Sequence, residues 1–125
     1  MSATAGILLF AHGARDSLWA RPFEAVAERL RARAPTTPVA LAFLEFMAPD
    51  LRAAGDALAL QGCTAVTVLP LFLGSGGHVR KDLPLLVDAL RSAHPEVDWR
   101  LVAAIGEHEA VITAIADTAW AHVHG

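Results

Sequence analysis

The chain has 125 residues, 54% of them hydrophobic, and a formal net charge of −3, which suits one ordinary domain with a single buried core. Charges interrupt every apolar stretch before the roughly 18 residues that a membrane-spanning helix needs. With 10 Lys and Arg against 13 Asp and Glu, the chain also lacks the clustered positive charge of a nucleic-acid binder.

In chain order, the first apolar run is Ile7 to Phe10, entered from Gly6 and followed by Ala11-His12-Gly13. It reads as strand β1. Ser17 to Ala34 then carries Trp19, Phe23, Val26, Ala27 and Leu30 at helical spacing, which predicts helix α1. Pro35 and Pro38 punctuate the next connection, and Val39 to Phe46 is apolar except for Glu45, giving β2. Asp50 to Gln61 with Gly62 beyond it reads as α2, and the β-branched run Thr64 to Leu69 as β3. The loop Gly74-Ser75-Gly76-Gly77 opens onto α3, His78 to Ala93; Trp99 to Ile105 gives β4 and Glu107 to Val123 gives α4. Strands that alternate with helices, and are apolar nearly throughout, specify a four-stranded parallel α/β sheet with helices on both faces, one domain over residues 1–125.

Ligands of open α/β sheets bind beyond the carboxyl ends of the strands, so polar residues there are the ones to weigh. His12 follows β1, Glu45 ends β2 and His78 follows the loop after β3. Two imidazoles and a carboxylate suit a divalent transition metal such as Co, Ni, Fe or Zn, with coordination positions left open. Each also has a plain structural reading: His12 as a hydrogen-bonded structural residue or helix cap, Glu45 as a salt-bridge partner of an arginine such as Arg15, His78 as a cap of α3 or an exposed surface residue. Glu45 is the hardest to dismiss, because a carboxylate within an apolar strand is costly to bury unpaired. Gly76 and Gly77 let a ligand approach the backbone, and Arg15, Arg80 and Lys81 can meet substrate carboxylates. Asp82 is a candidate partner for His78 or Arg15. The loop lacks the Gly-Lys-Ser/Thr ending of a nucleotide-binding P-loop, and the turn after β1 lacks G-x-G-x-x-G. Cys63, the lone cysteine, reads as a small core residue; it has no partner for a disulfide or a thiolate metal site. Residues Met1 to Thr4 carry no basic segment or cleavage site of an export signal, so the expected compartment is the cytoplasm. Ser17 and Ser75 belong to no recognisable triad. His94, His108, His122 and His124 read as surface residues, and Trp19, Trp99 and Trp120 as core or subunit contacts.

Three segments together resemble the CbiX/SirB group of sirohydrochlorin chelatases: Leu8 to Asp16 around His12-Gly13-Ala14-Arg15, Phe43-Leu44-Glu45, and Leu69 to Leu73 with Gly77-His78-Val79-Arg80-Lys81-Asp82-Leu83-Pro84. The third is the most specific. One departure is Ala14, where many members have Ser. The resemblance implies a flavodoxin-like, single-half version of the class II chelatase fold, a metal site formed by His12, Glu45 and His78, and a symmetric homodimer. It further implies a tetrapyrrole substrate, sirohydrochlorin, and a divalent metal that is itself a substrate: Co²⁺ toward cobalamin or Fe²⁺ toward siroheme, with Ni²⁺ a third candidate and no organic cofactor. In that activity neutral imidazoles of His12 and His78 hold the ion, Glu45 completes the site or accepts a pyrrole proton, and Arg15, Gly76, Gly77, Arg80 and Lys81 receive the peripheral carboxylates. Phe46, Met47, Leu71 and Phe72 are candidates to face the ring. A carrier that holds metal or tetrapyrrole without turnover would use the same ligands and need no proton acceptor.

Overall fold

The structure is a computed structural model that describes residues 4–74 and 76–124; Ser75 and most of the Met1 to Thr4 segment lie outside them. Among the described residues the strands are β1 (Ala5–Ala11), β2 (Val39–Phe43), β3 (Ala65–Pro70) and β4 (Asp98–Leu101). They form one parallel sheet in the order β2-β1-β3-β4. The helices are α1 (Arg21–Arg33), α2 (Leu51–Leu60), α3 (Gly77–Ala93) and α4 (Glu109–His124). Consecutive strands are thus not always neighbours. The order reverses between β2 and β3 on either side of β1, which makes the ends of β1 and its neighbours the switch point where such sheets bind ligands.

Side chains alternate across each strand and so build two cores. On one face Leu8, Phe10, Val66 and Val68 pack with Leu51 and Leu58 of α2 and Leu83, Val87 and Leu90 of α3. On the other face Ala11 and Phe43 meet Trp19 and Ala20, just before α1, and Phe23 in its first turn. α2 begins where its sequence says, since the Asp50 carboxylate accepts the Ala53 N–H at 2.8 Å. α1 begins later than the periodicity suggests: Ser17–Ala20 winds as a 3-10 turn, and Pro22 sits in the first helical turn, where its missing N–H costs nothing.

Two strand ends differ from expectation. β4 stops at Leu101, and Ile105–Glu107 forms a second 3-10 turn. β2 stops at Phe43 instead of running to Phe46. Leu44 and Glu45 still donate their N–H groups to the carbonyls of Ala11 and His12, at 2.9 and 3.1 Å, but Phe46 takes a left-handed φ of 66° that turns the chain away. The largest departure is α4, which has no buried residue and contacts chiefly the 3-10 turn before it.

His94 is not a surface residue. Its Nε2 lies 2.6 Å from Asp56 Oδ1, which ties the end of α3 to α2, while Trp99 Nε1 donates to the His94 carbonyl at 3.2 Å. The His94 hydrogen bond, helped by Arg52, holds the Asp56 carboxyl below its ordinary 3.8. A depressed carboxyl stabilises the fold above its unfolded-state value, and the contribution disappears as pH falls through the lower folded-state value. His94→Ala is therefore expected to destabilise the protein by about 0.5–1 kcal/mol at neutral pH, at the low end because Asp56 is partly solvated. It should also move the acid-unfolding midpoint to higher pH, measured by circular dichroism across an acid titration. Of the other histidines, His108 bonds the Ala103 carbonyl at 2.8 Å, and His122 and His124 are exposed on α4.

Candidate active site

Three segments meet at the carboxyl ends of β1, β2 and β3, and glycine geometry sets their approach. Gly13 has φ +90°, and a Cβ built there would collide with the Glu45 carbonyl oxygen. A side chain at position 13 would push the two loops apart. With hydrogen there, the backbone brings the Glu45 carboxylate against the imidazole of His12, Nδ1 to Oε1 3.6 Å. That is an ion-pair distance; the closer neighbour of Nδ1 is the Gly13 carbonyl at 3.3 Å. A neutral imidazole keeps one ring nitrogen unprotonated, and the lone pair of that nitrogen can bind a metal ion. The ring also stands edge-on to Phe72, 6.3 Å between centroids, and Phe72 is itself anchored in the core beside Phe10.

Glu45 is not buried in a strand, as its apolar neighbours suggested; its side chain is 48% exposed. Burial therefore lends the carboxylate no special weight; its place beside His12 and on the cleft that His78 also lines does. On the side away from His12, Glu45 lines a shallow cleft of about 180 Å³ with His78 and Asp82, floored by Phe10 and Leu83.

His78 stands in the first turn of α3, 92% exposed, with Nε2 3.1 Å from Asp82 Oδ2 one turn on. The i, i+4 spacing makes that pair local to the helix. The structure thus brings His12 to Glu45, and Glu45 to the cleft of His78. Among the described residues no three His, Cys, Asp or Glu side chains stand together closely enough to enclose one ion.

Arg15 does not pair with Glu45. Its guanidinium lies over the Phe46 ring, 5.0 Å from the centroid, and Phe46 is 57% exposed. The turn at Phe46 therefore presents an aromatic face, backed by a cation, beside the His12–Glu45 pair. Sequence reasoning singled out Arg15 but not this partnership, because nothing in an apolar run announces a left-handed turn. Of the other ring-facing candidates, Phe72 is buried, while Met47 and Leu71 are half-buried against the α1 core.

Arg80 and Lys81 are exposed on the first turns of α3; Gly76 is the N-cap residue and Gly77 the first helical residue. Gly76 offers no side-chain cap, so the leading N–H groups of α3 are available to an anion. Cys63 is buried, and burial pushes its thiol up, which makes it inert rather than nucleophilic. A hollow of about 700 Å³ runs along β2 between α1 and α2, lined by alanines such as Ala40, Ala53 and Ala57 and by Glu24, Glu28 and Arg31. It lies away from the His12–Glu45 pair.

The CbiX family model matches residues 6–119 of the chain. A CbiX protein from Marinobacter aquaeolei VT8 superposes with a TM-score of 0.84 at 33% identity, covering 96% of this chain and 98% of that one. The sirohydrochlorin chelatase SirB from Bacillus subtilis subspecies spizizenii, in complex with cobalt, superposes at 0.78 with 26% identity, over 91% of this chain and 49% of SirB. The sirohydrochlorin ferrochelatase of Bacillus subtilis (strain 168) is 28% identical over 109 residues, which are 87% of this chain and 42% of that enzyme. The chain spans about half the length of such longer relatives.

Proposed function

The chain belongs to the CbiX family, and from that premise we propose that it is a sirohydrochlorin chelatase, inserting Co²⁺ or Fe²⁺ into the tetrapyrrole. The observation that carries this reading is the His12–Glu45 pair, 3.6 Å apart at the switch point of the sheet and sharing its carboxylate with the cleft of His78. Insertion exchanges one divalent ion for two pyrrole N–H protons. The ion must shed water, and something must take the protons.

In the proposed site His12 and His78 supply neutral nitrogen ligands, and Glu45 offsets the ion's charge. His78 joins by turning from Asp82, a rotation its exposure leaves free. A carboxylate has two oxygens, so Glu45 can stay close to the ion and still accept a proton from the macrocycle. The macrocycle lies against the Phe46 ring, with Arg15, Arg80, Lys81 and the uncapped N-terminus of α3 meeting its carboxylates. No organic cofactor enters. One relative is named a ferrochelatase and SirB is seen in complex with cobalt, and both ions suit this ligand set.

Phe46→Ala removes the stacking face and leaves the ligands in place. Aromatic stacking contributes about 1 kcal/mol, so the expected result is an approximately fivefold rise in KM for sirohydrochlorin with kcat little changed. Steady-state kinetics over tetrapyrrole concentration measure it.

The proposed assembly is a homodimer, supported by the exposed apolar side chains of α4, and the proposed compartment is the cytoplasm, supported by the single buried thiol of Cys63. The function is tested by following sirohydrochlorin absorbance anaerobically with Co²⁺ or Fe²⁺, with and without protein. A chelatase accelerates insertion over the uncatalysed rate at substoichiometric enzyme; binding of metal or tetrapyrrole without acceleration would make the protein a carrier.

A further inference from the structure

The imidazole of His12 is loosely held by its polar neighbours. Its side chain is 47% exposed, and its Nδ1 meets the Gly13 carbonyl at 3.3 Å and the Glu45 carboxylate at 3.6 Å, neither a short hydrogen bond. The torsion that turns an imidazole about its Cβ–Cγ bond has a broad profile. Packing must therefore limit the swing of the ring.

Phe72 supplies that packing. The two rings meet edge-on, with 77° between their planes and 6.3 Å between centroids, and Phe72 makes a second edge contact with Phe10 at 6.0 Å. Phe72 is buried but not wedged on every side, since it also lines a cavity of about 170 Å³ together with Val79 and Leu83 of α3 and Leu101 and Ala104 at the end of β4. A ring beside free volume lacks contacts on that side, so its place depends on how its backbone is fixed.

Two hydrogen bonds fix that backbone. The Leu71 N–H donates to the Phe10 carbonyl at 2.8 Å, and the Phe72 carbonyl accepts the Gly106 N–H at 3.0 Å. Gly106 lies in the second 3-10 turn, after β4, and a Cβ built there would collide with the Leu73 carbonyl oxygen. Glycine alone allows so close an approach. The turn is tied down in its own right, because the Val102 N–H donates to the Val68 carbonyl at 3.1 Å and the Glu107 N–H to the Ala104 carbonyl at 2.9 Å.

We propose that Phe72 is a positioning residue for His12 and that Gly106 anchors it in that role. The proposal rests on the reading of His12 as a metal ligand and names what aims its ring. The path runs from the turn after β4, two strands away from β1, through Phe72 to the imidazole. A ring already held before the ion arrives loses less freedom on binding, which favours affinity. Neither Phe72 nor Gly106 ligates the ion or takes a proton.

The test is a double-substitution cycle read by Co²⁺ affinity in the full chain, under conditions where circular dichroism shows each variant folded. Phe72→Leu keeps an apolar side chain in the core and removes the ring edge. It should weaken Co²⁺ binding by about fivefold, the size of an aromatic pair contact. In a His12→Ala background the same substitution should cost less than about twofold, because the ligand it steers is gone. Gly106→Ala should repeat both results. It should also move the NMR signals of the His12 ring, identified by their loss in His12→Ala, and leave in place those of His94, which is held by Asp56. Equal losses in both backgrounds, or Co²⁺ affinity unchanged by Phe72→Leu, would make Phe72 a packing residue only and overturn the proposal. If Gly106→Ala does not fold, the Phe72→Leu cycle decides; if it folds and the His12 signals stay still, the anchor is overturned. A His12→Ala variant that binds Co²⁺ as tightly as the wild type would instead sink the reading of His12 as a ligand, and the proposal with it.

Discussion

Glu45→Gln should lower the rate of metal insertion by about 10²-fold or more, while Co²⁺ affinity falls by a much smaller factor. The amide keeps the shape of the carboxylate and an oxygen that can face the ion, but it carries no negative charge and accepts no proton. Glu45 stands 3.6 Å from the His12 ring and lines the cleft of His78, so it is placed to take a proton released beside the ion. Single-turnover absorbance traces give the insertion rate, and competition with a chelating dye gives the affinity. If rate and affinity fall together, Glu45 acts only as a ligand. His12→Ala should differ in kind: the loss of a nitrogen ligand should weaken binding and rate alike.

Gly13→Ala should have an effect of similar size without touching a ligand. Its φ of +90° disfavours any side chain, and the new methyl group would run into the Glu45 carbonyl oxygen. The left-handed backbone costs about 1–2 kcal/mol and the overpacking about 1–3 kcal/mol, so a loss of roughly 3 kcal/mol of stability is expected. Relief of the clash moves Glu45 away from His12. Insertion should fall by about 10²-fold even in protein that remains folded, since a displacement of about 1 Å at a reacting group has that effect. Urea denaturation measures the stability, and turnover at a temperature where the variant is fully folded measures the rest.

These expectations show where sequence was sufficient. Strands β1 and β3 were legible because unbroken apolar runs such as Ile7 to Phe10 have few other uses in a chain that also shows helical periodicity. His12 and His78 were legible as strand-end residues for the same reason. Glu45 was placed in the right region for a wrong reason. Leu41 to Phe46 has the composition of a buried strand, and only the left-handed turn at Phe46, with Gly13 opposite, lifts Glu45 into solvent. Such a turn at Phe carries no signal in residue type. His94 was misread because its partner, Asp56, lies 38 residues away on another helix. For α4 the pattern reported an apolar helix faithfully, but apolarity states a demand for cover and not the identity of what supplies it.

The central claim is that one ion is held by His12, Glu45 and His78, and cobalt-edge anomalous diffraction from crystals soaked in Co²⁺ tests it most directly. The account predicts one strong peak between the two histidines, within about 2.0–2.2 Å of an imidazole nitrogen of each and of a Glu45 oxygen, with His78 turned from Asp82. A peak on His78 and Asp82 that leaves His12 and Glu45 unligated, or none at this end of the sheet, would contradict it.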